Sequence, residues 1–189
     1  MLAGSRHREP VSTASRVILN MSGSQPDRPC MAQQEFNALL ATVTARISGE
    51  PLDAALQETL NAVFPPQGDV FSRLRELCHT GSAEGWLCAR EAGGIRYGRA
   101  VKPGPETHGF SVDVVAMEDI AGPFHAHPQG EIDMIIPVTE NALFDGHGEG
   151  WLVYEPGSRH YPTVTQGKAF VLYLLPAGEI DFSAAAPHA

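Results

Sequence analysis

The chain has 189 residues, 43% hydrophobic and 19% charged, with a formal net charge of −9, enough for one well-buried domain plus an accessory segment but too short for two full domains. Four arginines fall in the first 30 residues, and the rest of the chain carries 9 basic and 20 acidic residues. A body this acidic repels phosphate backbones, so nucleic acid is not an expected partner.

Cys30, Cys78 and Cys88 show no CxxC spacing, and an odd count cannot close a disulfide framework, so a reducing cytoplasm is the expected location. The apolar run Val17 to Leu19 is too short for a signal-peptide core or a membrane span, and no membrane association is expected. Residues 1–30 mix Ser, Arg, Pro and Gly without apolar periodicity and read as a disordered leader, in which Met1 and Met21, with Met31 just after, are candidate starts. Glu9 and Asp27 weaken a transit-peptide reading.

Residues 31–82 read as a helical segment. Phe36, Leu39, Leu40, Val43 and Ile47 form one stripe ended by Gly49 and Pro51, and Leu52, Ala55, Leu56, Leu60 and Val63 form a second ended by Pro65 and Pro66. A third helix is expected from a cap at Asp69, with Val70, Leu74, Leu77 and Cys78 on one face. From residue 83 to 183 the texture becomes β, with a hairpin turning at Gly93 and Gly94 and then the runs "GFSVDVVAM", "EIDMIIPV", "GWLVYEP" and "AFVLYLLP". Six or more strands without intervening helices predict a mainly β domain, an antiparallel sandwich or small barrel, with residues 184–189 as a flexible tail.

The chemistry gathers in "GPFHAHPQGEIDM". On a strand, His125 and His127 share a face, and the turn Pro128-Gln129-Gly130 brings Glu131 back towards them. Two neutral imidazoles and a carboxylate suit a divalent transition metal such as Fe, Mn, Zn, Ni or Co, although an HxH pair alone is more often surface decoration. A third imidazole, His160, stands in "GWLVYEPGSRH".

These two segments resemble the motifs of the cupin superfamily, G(X)5HXH(X)3-4E(X)6G and G(X)5PXG(X)2H(X)3N. The first falls on His125, His127 and Glu131, the second on Gly150, Pro156, Gly157 and His160. The departures are Gly122 too close to His125, Val138 in place of the closing Gly, adjacent Pro156 and Gly157, and Val164 in place of the final Asn. The resemblance covers about residues 85–182. It implies a cupin-type β-barrel (double-stranded β-helix, or jelly roll) with one divalent metal on His125, His127, Glu131 and His160. The helical segment ahead of a single such domain is similar to the bacterial 4-hydroxylaminobenzoate lyase family, which releases ammonia to give 3,4-dihydroxybenzoate.

That resemblance implies a small aromatic carboxylate substrate. Asp133, two residues beyond Glu131, is the candidate proton shuttle or orienting partner of a ligand histidine, and Tyr154 a candidate donor to a substrate oxygen. Arg159, Arg96 and Arg99, with Tyr173, are candidates for holding the substrate, since a guanidinium binds carboxylate through two parallel hydrogen bonds. His108 and His147 are expected to face solvent. A mononuclear Fe(II) dioxygenase and a non-catalytic ligand-binding cupin are the alternatives, and a homodimer is the expected assembly.

Overall fold

The computed structural model describes residues 30–184. The leader and tail expected at the termini lie outside these residues, except for Cys30 and Ala184. Three helices come first: α1 (Met31–Ile47), α2 (Ala54–Val63) and α3 (Asp69–Glu84). Phe36, Leu40, Val43 and Ile47 of α1 are fully buried, as the 3.6-residue spacing requires. Asp53 caps α2 by accepting from the Leu56 N–H at 2.9 Å.

Two details depart from the expected helices. The α3 cap is Gly68, and Asp69 stands one residue inside, where its charge favours the positive end of the helix dipole instead of accepting a cap hydrogen bond. The buried stripes also rotate slightly, since Phe71 is buried where Val70 was expected, and Val63 is exposed because α2 buries only Leu56 and Leu60. The α3 helix runs on to Glu84 before Gly85 closes it at φ 80°.

The remainder is antiparallel sheet. Strands β1 (Arg90–Ala92) and β2 (Ile95–Val101) turn at Gly93 and Gly94, both at positive φ, and β3 (Phe110–Ala121) follows a 3-10 turn. Then come β4 (His125–His127), β5 (Glu131–Pro137), β6 (Leu143–Phe144), β7 (Gly150–Tyr154), β8 (Ser158–His160) and β9 (Thr163–Pro176). The large sheet runs β1-β2-β3-β9-β5-β7 with β6 on β9, while β4 and β8 form a separate ribbon. Helices followed by antiparallel sheet is the arrangement expected.

Alternation along the strands divides the interior. Val112, Val114, Ile132, Met134, Leu172 and Leu174 face the helices and make one core with them. Met117, Ile135, Leu152, Val171, Tyr173 and Leu175 face the other way and line the barrel. Glu131 and Asp133 share the parity of Ile135, so the sheet carries two carboxylates inward among apolar neighbours. No helix among the described residues is long and apolar enough to cross a membrane.

Candidate metal centre

The β4–β8 ribbon sets His125 directly opposite His160, and β5 begins with Glu131. Gly130 makes that entry possible: its φ is +85°, and a Cβ there would stand 2.6 Å from the Tyr154 carbonyl oxygen. One donor atom from each of His125, His127, Glu131 and His160 falls within 4.8 Å of the others. The His160 Nε2 lies 3.1 Å from the His127 Nε2 and 3.2 Å from the His125 Nε2. Glu131 Oε1 is 3.7 Å from the same nitrogen.

Where the protons sit decides what these contacts mean. His125 Nδ1 donates to the Pro123 carbonyl at 2.9 Å, and His160 Nδ1 donates to Asp145 Oδ2 at 2.6 Å. A neutral imidazole has a single N–H, so with Nδ1 protonated on both rings the two Nε2 atoms would present lone pairs to the centre. Two lone pairs converging at such a distance repel unless a cation lies between them. Nitrogens held at about 2.0–2.1 Å from one ion and at right angles to each other stand about 3 Å apart, close to the spacing seen. His127 Nδ1 and both Glu131 oxygens are buried without a hydrogen bond; the 3.1 Å approach of His127 Nδ1 to Glu131 Oε2 is short but out of line for one. The donor set and its unmet lone pairs fit a divalent transition metal.

The electrostatics of the two strand imidazoles agree with that fit, while the carboxyls beside them are held towards their neutral forms. Burial pushes His125 down, and burial together with the other two imidazoles pushes His127 down to about 3, keeping both rings neutral as ligands must be. Burial pushes Glu131 and Asp133 well up, and their closeness adds to the rise at Glu131. At Asp145 burial acts upward, but donation from His160, Tyr154 and Thr163 outweighs it and holds the carboxyl below its usual range.

A cavity of about 450 Å³ opens beside His125, with Arg99, Met117, Tyr173 and Phe182 among its walls. Phe182 is 60% exposed and stands edge-on to His125 at 5.2 Å between ring centroids. Its segment is fastened across the mouth by two 2.9 Å backbone hydrogen bonds between Asp181 and Ala126.

The sequence pattern of the family described as PnbB, 4-hydroxylaminobenzoate lyase, matches residues 38–182. The chain is 31% identical over 167 residues to a 4-hydroxylaminobenzoate lyase from Pseudomonas putida, covering 79% of this chain and 95% of that one. It is 34% identical over 151 residues to a 4-hydroxylaminobenzoate lyase from Nocardioides sp. (strain LMS-CY), covering 75% and 87%. The chain belongs to the 4-hydroxylaminobenzoate lyase family. Among solved structures, an oxalate oxidase in complex with glycolate is similar over 49% of this chain and 56% of that one, at 21% identity and a TM-score of 0.37.

Within this member of the lyase family the other candidate residues part company. Arg99 lines the cavity, where its Nε donates to both Asp113 oxygens at 3.0 and 3.1 Å and one terminal nitrogen donates to the Gly178 carbonyl. Arg96 lies on the opposite face of β2 and donates to Ser82 on α3, away from the cavity. Arg159 alternates outward from His160 on β8 and is exposed, near Asp181. Tyr173 lines the cavity, and its backbone pairs with Asp113 on one side and Asp133 on the other. Asp133 is fully buried beside Glu131 and makes no hydrogen bond to a histidine, so it orients none. Tyr154 gives its hydroxyl proton to Asp145 at 2.6 Å. His108 and His147 are exposed, as expected, although His108 also meets Thr44 on α1 at 3.0 Å.

Sequence reasoning missed Asp145 as a partner of the centre. Its one signal is the "DGHGEG" turn ahead of the second motif, which reads as a pocket mouth and points to no particular carboxylate.

Proposed function

We propose that the chain is a metal-dependent lyase converting 4-hydroxylaminobenzoate and one water to 3,4-dihydroxybenzoate and ammonia. The observation that carries this reading is the convergence of bare imidazole nitrogens and an unpaired carboxylate beside a cavity that also presents a guanidinium. Family membership supplies the substrate. The reaction breaks the N–O bond, forms a C–O bond at the ring carbon next to the one bearing nitrogen, and breaks the C–N bond by hydrolysis of the imine. Atoms and electrons balance without an external oxidant.

His125, His127, Glu131 and His160 would hold the divalent metal, whose chemistry is Lewis-acid polarisation of the hydroxylamine oxygen. The rest falls to the chain's own side chains. Arg99 Nη1, beside Gly178, is not used in the hydrogen bonds to Asp113 and Gly178, and this nitrogen meets the substrate carboxylate. Asp133, raised by burial, holds a proton on its carboxyl beside Glu131 and delivers it as the N–O bond breaks. Tyr173, which lines the cavity, donates its hydroxyl to a substrate oxygen. Tyr154 acts through Asp145, since its proton is already committed there. Met117 and Phe182 keep bulk water from the ring. The reading includes a cytoplasmic homodimer paired through β1, the exposed edge of the sheet.

Anaerobic incubation with 4-hydroxylaminobenzoate, following ammonia and catechol, tests it. Release is expected without O2, lost on chelation, restored by metal, and lost in His125→Ala and His160→Ala. Dependence on O2 would overturn the lyase reading, and release indifferent to chelation would overturn the metal.

A further inference from the structure

We propose that Asp145 is the positioning residue of the centre, fixing His160 in its Nδ1–H tautomer so that the Nε2 lone pair stays turned inward. This rests on the metal-binding reading of the same site. An ionised carboxylate only accepts hydrogen bonds, and all three of Asp145's partners can donate. Oδ2 receives His160 Nδ1–H and Tyr154 O–H, each at 2.6 Å, and Oδ1 receives the Thr163 backbone N–H at 2.7 Å. The ring therefore brings its single proton to the Nδ1 side, leaving Nε2 bare.

Asp145 is itself clamped. Its N–H donates to the Thr163 carbonyl at 2.8 Å while its side chain takes the Thr163 N–H, so one residue of β9 is held from both directions. Its φ of +47° lies in the left-handed region, which Asp tolerates better than most residues but which still needs surrounding structure to enforce it. The three histidines differ in what fixes them. His125 is locked by the Pro123 carbonyl, a backbone group that no substitution removes. His127 has no hydrogen bond at Nδ1. Only at His160, among the described residues, does a side chain hold the tautomer of a ligand ring.

Asp145→Asn preserves shape and removes this logic. An amide offers one oxygen where the carboxylate offers two. If that oxygen stays with His160 and Tyr154, the NH2 confronts the Thr163 N–H, donor against donor. If it turns to Thr163, the NH2 donates to His160 Nδ1 and drives the ring proton onto Nε2, blocking the ligand position.

Two measurements on the full chain test the proposal. In metal-free wild type, 15N NMR of the neutral His160 ring is expected to show Nδ1 protonated and Nε2 bare; the reverse tautomer overturns the proposal. With Co(II) as probe, competition against a chromophoric chelator is expected to show binding about 10–100-fold weaker in Asp145→Asn, with an altered visible spectrum. Affinity and spectrum equal to wild type overturn it. Should the variant not fold, the wild-type tautomer decides alone. Loss of 4-hydroxylaminobenzoate turnover with Co(II) binding and tautomer as described would sink the substrate assignment and leave this proposal standing.

Discussion

Asn61 on α2 grips Trp151 on β7 at both backbone groups, donating to its carbonyl at 2.8 Å and accepting its N–H at 3.0 Å. β7 ends the sheet, so these groups would otherwise lie unpaired, and Gln57 takes the next free N–H, that of Val153. One helix thus stands in for a missing strand and ties the helical segment to the barrel. Asn61→Ala leaves two backbone groups without partners at a cost of about 1–3 kcal/mol. A drop in Tm of roughly 3–10 °C is expected at this chain length. A variant melting within about 1 °C of wild type would show that the contact is incidental.

The cluster of His125, His127 and Glu131 was legible in the sequence and its support was not, for a physical reason. His125, His127 and Glu131 lie within one strand and one turn, where period-two alternation and a positive-φ glycine fix relative direction. Asp145 reaches His160 only because β9 returns to place Thr163 beside both, a long-range closure with no local signature. The arginines divide by parity: Arg96 and Arg99 are three apart and so fall on opposite faces, but choosing the inward face requires knowing which side the helices cover. Phe182 reaches the cavity through the Ala126–Asp181 bridge, which no pattern in the tail foretells.

Arg99→Lys should separate charge from shape in substrate binding. The guanidinium serves Asp113, Gly178 and, in the proposed complex, the substrate carboxylate at once, which an ammonium cannot span. KM for 4-hydroxylaminobenzoate is expected to rise about 10–100-fold, in line with about 1.5–3 kcal/mol for charged hydrogen bonds, with kcat changed far less. Arg96→Lys and Arg159→Lys, on the outer faces, should leave KM within about twofold. Equal effects at all three positions would remove Arg99 from the binding site.

Phe182→Ala should open the mouth of the cavity without unfolding the barrel, because the ring is largely exposed and its segment is held by backbone hydrogen bonds that the substitution spares. The expected outcome is a KM raised several-fold and a Tm within about 2 °C of wild type, consistent with loss of one aromatic contact. An unchanged KM would show that the ring does not touch substrate.

The thiols give a pH-dependent prediction. Burial pushes Cys88 up from an ordinary 9.0 to about 11, and Cys78, fully buried, further still. A raised thiol pKa means the folded state disfavours the thiolate, so the stability is fully present below about 9 and is lost as pH rises towards 11. At pH 8 Cys88 is about one part in a thousand thiolate. Alkylation of native protein at pH 8 should therefore modify exposed Cys30 quickly and the other two only on unfolding, read by mass spectrometry. Modification of two or more thiols at the same rate in folded protein would contradict this burial.

Glu131 separates what the site does for function from what it does for stability. Its carboxyl is fully buried beside Asp133, where the ionised form is costly unless a cation sits opposite. Chelation should therefore lower the Tm of wild type, since a ligand that binds only the folded state stabilises it by mass action. Glu131→Gln keeps the shape of a carboxyl that burial and Asp133 already hold towards its neutral form, and removes its ability to ionise for a metal. After chelation this variant is expected to melt at or above wild type, and to gain little or nothing when metal is returned. A chelated variant melting well below chelated wild type would mean that Glu131 stabilises the fold through contacts of its own, and that the carboxylate is not held in reserve for a metal.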